Sequence, residues 1–290
     1  DLQNKMLEIN KNDICALIDL VDESDKITFD LVKESLIKMG KESITIIEES
    51  LALCLDSDKA DKLQEILYEI RFNELKNELV LWNKTEPNSI LKGFIAISKM
   101  NFDIDEDFVL SEVEKHRRKI WSELNDKLTE LEKAIIIQKY IFNNFHFQED
   151  DKIELNIQKI FSSKNCNKIS VVFLYGILVQ ELKIAAYPVV INDEFYFCHT
   201  HKPIKDLNNI DEADISFYLS PIYEDGILSF EDFANMYIEV LFYDYSDILP
   251  ISTFDFFAET ITYIQRIYGN CNTKNYGKLL SFLIYSDLGD

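Results

Sequence analysis

The chain has 290 residues, 47% of them hydrophobic, and its 52 acidic against 30 basic side chains give a formal charge of −22. That length and apolarity allow a sizeable core spread over two or three modules. The charge repels phosphate backbones and anionic lipid, so neither nucleic acid nor a membrane surface is an expected partner.

Seven Gly and five Pro with scattered charges point to a mostly helical globular class. Residues 11–82 read as successive amphipathic helices. Ile14, Leu17, Ile18 and Val21 recur at helical spacing, as do Phe29, Val32, Leu36 and Ile37. Gly40 follows Met39 where a helix should stop, in a left-handed position. A third helix runs through Ile44, Ile47 and Leu51. Asp56, Ser57 and Asp58 then supply acceptors for a long fourth helix ending at Trp82. Paired helices without a strand signal predict a HEAT-like helical domain over 1–84.

Asn83 to Pro87 marks the first module boundary. LKGFIAISKM, the acidic loop 101–105 and a helix over 107–124 follow. On that helix His116, Arg117, Arg118 and Lys119 form a basic cluster. With Glu112 and Glu114 one turn back, it reads as a solvated or salt-bridged face. Thr129 with Glu132 makes a capping box for an apolar helix through Ile135, Ile136, Tyr140 and Ile141.

The central stretch is 165–197, NCNKISVVFLYGILVQELKIAAYPVVINDEFYF. A polar turn opens an apolar helix that ends near Leu182. Runs 185–191 and 194–198 read as paired strands, with Asn192 and Asp193 as their turn. Residues 215–219 are a third strand candidate, ended by Pro221. Ser229 with Asp232 caps a helix through Phe233, Tyr237 and Val240. Pro250 is the second boundary, followed by helices at 253–268 and 274–285 around Gly269 and Asn270. The 20 Phe and 14 Tyr read mainly as core, with FYDY, IYEDG and DFFAE as the places where aromatics could be left exposed for a partner.

Cys15, Cys54, Cys166, Cys198 and Cys271 are odd in number, far apart and in no CxxC pair. They read as reduced thiols of a cytoplasmic protein. No apolar run reaches the roughly 20 residues of a membrane span, and no basic start followed by an apolar run marks a secretory signal. No Gly-rich phosphate loop, GxSxG elbow or HExxH pattern occurs.

Several segments, in order, resemble the bacterial SirB-type proteins of the transglutaminase-like superfamily. They are LKGFIAISKMNFDID, HRRKIWSELNDKLTELEKAIIIQKYIFNNFHF, NKISVVFLYGILVQELKIAAYPVVINDEF and FYLSPIYEDGILSFEDF. The helices of 1–82 and 253–285 are similar to flanks seen in some members. The resemblance implies an α+β, predominantly helical fold. A transglutaminase-like (papain-like) core with a small antiparallel sheet would occupy 85–249, between helical repeats. The flank over 250–290 would be a tetratricopeptide-like hairpin.

Active members of that superfamily use a Cys-His-Asp triad, with the thiolate at a helix N-terminus where unpaired N–H groups stabilise it. In the family the nucleophile precedes the Gly of a Leu-Gly-Ile-Pro-like turn by about fifteen residues, and here that turn reads Leu182-Lys183-Ile184-Ala185. The resemblance therefore assigns the nucleophile slot to Lys168, the His slot to Glu194 and the Asp slot to Ser220. None suits the reaction: Lys168 carries no thiol, Glu194 no imidazole, and Ser220 no anion to orient one. An ion pair between Lys168 and Glu194 is the expected replacement.

Cys166, two residues before the slot, is either a displaced nucleophile with Glu194 or His199 as base, or a partly buried thiol in a turn. Cys198, His199, Thr200 and His201 offer two converging ligands at most and read as a solvent-facing strand end, so no metal is expected. No cofactor is expected either. The sequence thus predicts a non-catalytic transglutaminase-like protein that binds an unidentified protein partner. One alternative is a cysteine-dependent acyl transferase or amide hydrolase using Cys166. A second is a small-ligand module whose pocket is lined by Cys166, Lys168 and Glu194.

Overall fold

The computed structural model describes residues 2–21, 26–100, 102–148 and 155–268. The chain forms two compact units, Asp1–Leu79 and Val80–Asp290, which divide inside one long helix.

The first unit contains α1 (Leu2–Asp19), α2 (Lys26–Met39), α3 (Lys41–Leu53) and most of α4 (Ser57–Thr85). Its core is the apolar stripe of each helix: Ile14 and Ile18, Val32 and Leu36, Ile46 and Ile47, and Leu63, Ile66 and Ile70. Gly40 joins α2 to α3 at φ 59, ψ −135, a region that only a residue without a Cβ enters without strain. Asp56 Oδ1 accepts from the Asp58 and Lys59 N–H groups and opens α4.

The second unit begins with the last turns of α4 and continues through α5 (Ile90–Ser98), α6 (Glu106–Trp121) and α7 (Glu130–Asn144). Both halves of the capping box at Thr129 and Glu132 form. A short parallel pair, β1 (His146–Phe147) with β2 (Asn165–Cys166), brackets α8 (Ile157–Ser163). Then comes α9 (Lys168–Glu181), whose residues from Ile169 to Val179 are all buried. A helix apolar all round must be covered on every side. α5, α6 and α7 pack on part of α9, and the strands after it on the rest.

Those strands are β3 (Ala186–Ile191), β4 (Glu194–Thr200), β5 (Ile215–Leu219) and β6 (Ile227–Leu228), antiparallel in that order. Asn192 and Asp193 both take positive φ, 52° and 65°, as a two-residue hairpin turn of the I′ kind requires. Pro188 is tolerated because β3 is an edge strand, and its carbonyl accepts from Ile251 N–H at 2.9 Å. The two-residue strand β6 carries too little pattern to be read from sequence.

β4 is buried on both faces. Phe195 and Phe197 face aromatic partners that include Phe256 of α11 (Thr253–Tyr268). Tyr196 packs against Phe233 and Tyr237. Those two rings come from α10 (Phe230–Ala234) and a π-helical turn, Asn235–Val240, instead of the single α-helix expected through Phe233, Tyr237 and Val240. The expected helix at 274–285 lies outside the described residues. The described architecture is α+β, predominantly helical, with one small antiparallel sheet. No helix among the described residues is long and apolar enough to cross a membrane.

Candidate functional site

The start of α9 is organised by Asn167, whose side chain accepts from Ser170 N–H at 2.8 Å. Lys168 is therefore the first helical residue, and its side chain reaches the hairpin. Its Nζ lies 3.4 Å from each Glu194 carboxylate oxygen and 3.3 Å from the Asp193 carbonyl. It also sits over the Tyr263 ring, 5.4 Å from the centroid. Lys168 and Glu194 are thus joined as an ion pair.

Ser220 follows β5 and is 1% exposed. Its N–H donates to Gly226 and its carbonyl accepts from Gln138. Its hydroxyl has no partner among the described residues and takes no part in the pair.

Cys166 belongs to β2, where its carbonyl accepts from Gln148 N–H at 2.9 Å. Its thiol is buried, and burial pushes its pKa up to about 12 against the partial opposition of Lys164. A protonated thiol is a poor nucleophile at neutral pH.

His199, the other base considered for Cys166, is enclosed. Its Nε2 hydrogen-bonds the Tyr175 hydroxyl at 2.8 Å, its ring stacks on Phe217, and its Nδ1 is buried without a partner among the described residues. Burial drives its pKa down to about 3, so the ring is neutral.

The solvent-facing strand end expected at Cys198 to His201 is corrected here. β4 runs on to Thr200, and Cys198, His199 and Thr200 are all buried. The strand is longer than its pattern indicated because α9 covers one face and the π-helical segment the other. Only His201 is exposed, bonded to Ser216 through Nδ1 at 2.8 Å. A bulge between His199 and Thr200 breaks the alternation that would have aligned the two imidazoles. No group of three or more His, Cys, Asp or Glu side chains among the described residues could hold a metal ion.

The basic cluster on α6 also divides. Arg117 and Arg118 pair with Glu114 as expected. His116 instead turns inward and is 2% exposed. Its Nδ1 meets the Tyr140 hydroxyl at 2.7 Å and its Nε2 the Lys164 ammonium at 3.0 Å. Its spacing from Val109, Val113 and Ile120, all buried, carried that signal in the sequence.

A cavity of about 240 Å³ lies between the β3–β4 turn and α11, with Asn192, Asp193, Tyr243, Glu259, Thr262 and Arg266 in its wall. Arg266 is ion-paired with Asp193 at its edge. Cys166, Lys168 and Glu194 are not in its wall. Comparison with protein-family models, curated proteins and solved structures gives no match to this chain.

Proposed function

We propose that this chain is a non-catalytic, transglutaminase-like protein of the SirB type that works by binding another protein, in the cytoplasm. The observation that carries the reading is the Lys168–Glu194 ion pair at 3.4 Å, which occupies two slots where the superfamily keeps its thiol and imidazole. Cys166 and His199 add to it, one a buried thiol and the other a buried neutral ring already bonded to Tyr175. Lys183 supports the family assignment. It holds φ 57 at the position where the resemblance implies Gly, as left-handed helix ends favour. HEAT-like helices before the core and a tetratricopeptide-like hairpin after it would complete the arrangement.

The test is the alkylation rate of each cysteine by iodoacetamide at neutral pH, read by peptide mass spectrometry. The exposed Cys15 should react well ahead of buried Cys166 and Cys198. A Cys166 that outpaces Cys15 would overturn the reading and restore the acyl-transfer alternative.

A further inference from the structure

No Lys or Arg occurs between Lys205 and Arg266, a stretch that carries thirteen acidic residues. In its second half the chain widens into the π-helical turn Asn235–Val240 and leaves it through Phe242, a non-glycine residue at φ 59. Tyr243 N–H closes the turn by donating to the Tyr237 carbonyl at 2.9 Å. A bulky residue in the left-handed region is strained, and such strain and π-turns concentrate where a surface is used.

The strained backbone presents apolar side chains to solvent. Val240 is 66% exposed, Leu241 45%, Phe242 86% and Tyr245 43%. The base of this wedge is anchored, because Tyr237 is buried, hydrogen-bonded to Tyr196 and packed against the Tyr243 ring. Glu239 and Asp244 flank the apolar run, and the Tyr245 phenol pKa is raised first by burial and then by the nearby Glu212 and Asp211 carboxylates. A second copy would bring the same −22 charge to the contact, and anionic lipid would be repelled likewise.

Resting on the protein-binding reading above, we propose that Val240, Leu241, Phe242 and Tyr245 form a docking wedge for a protein partner with an apolar socket ringed by Lys and Arg side chains. Apolar anchors in the socket would supply affinity, and the opposed charges would steer encounter.

The probe is a fluorescein-labelled amphipathic helical peptide of Leu and Lys, compared by anisotropy with one carrying Glu in place of Lys. The full chain should bind the Lys peptide, and Phe242→Ser should weaken it by about tenfold. Leu53→Ser, at an exposed apolar position of the first unit, should leave binding unchanged. Phe242→Gly separates binding from folding, since it relieves the left-handed backbone and should raise the Tm while losing the peptide. Equal binding by wild type and Phe242→Ser, or equal binding of the Glu peptide, would overturn the proposal. So would a wild-type dimer in sedimentation that Phe242→Ser dissociates, which would assign the wedge to self-association. Cysteine alkylation is independent of this assay, so the wedge and the non-catalytic reading can fail separately.

Discussion

The Lys164 ammonium stands 3.0 Å from His116 Nε2, so the imidazole must accept there and stay neutral, with its Nδ1–H donated to the Tyr140 hydroxyl. Burial, followed by the Lys164 charge, lowers the His116 pKa from 6.5 to about 4, against the opposing pull of Glu112. Between those values the unfolded chain takes up a proton that the folded chain refuses. Stability is therefore complete above pH 6.5 and falls as the pH drops through the window down to about 4. The loss amounts to about 3 kcal/mol for this histidine alone. Urea titrations at pH 7 and pH 4.5 on wild type and His116→Gln should show the smaller acid loss in the variant. Equal acid losses would contradict the prediction.

Lys168 and Glu194 hold each other at 3.4 Å with roughly a quarter to a third of each side chain exposed. Screening leaves such a pair about 0.5–1 kcal/mol. A double-mutant cycle with Lys168→Met and Glu194→Gln should give a coupling of that size, shrinking in 1 M salt. A coupling indistinguishable from zero at low salt would mean that the two residues are neighbours without being partners.

Gly176 lets β4 and α5 close on α9. A Cβ there would stand 2.8 Å from both Phe197 Cζ and Ile90 Cδ1. Ile90 can rotate, but the Phe197 ring is wedged against Tyr175 and Phe256. Gly176→Ala should therefore cost about 1–3 kcal/mol in spite of its better helix propensity. Chemical denaturation measures it, and a stabilised variant would show that the core yields there.

Lys183 ends α9 in a Schellman motif. Ile184 N–H donates to Val179 and Lys183 N–H to Gln180, each at 2.9 Å. The motif needs a left-handed residue, and a Lys there bears a steric cost that Gly avoids. Lys183→Gly should raise stability by about 0.5–1 kcal/mol, read as a higher Tm by calorimetry.

The features readable from sequence are those decided within a few residues. The capping box at Thr129, the Asp56 and Ser229 caps and the Asn192-Asp193 turn all rest on hydrogen bonds or backbone preferences local to the chain. The candidate site was legible only in part. Numbering brought Lys168 and Glu194 together, but nothing near Ser220 in the chain indicated that its hydroxyl would be enclosed.

Burial was decided by residues far away in sequence. His199 vanishes between Tyr175 and Phe217, and His116 turns from the basic face of α6 toward Tyr140 and Lys164. Phe256 and Phe257, expected among the exposed aromatics of DFFAE, are fully buried, whereas Phe242 of FYDY stays in solvent. A side chain's polarity states its preference for water. Whether water reaches it depends on which helix or strand arrives to cover it, and that is settled only when the whole core assembles.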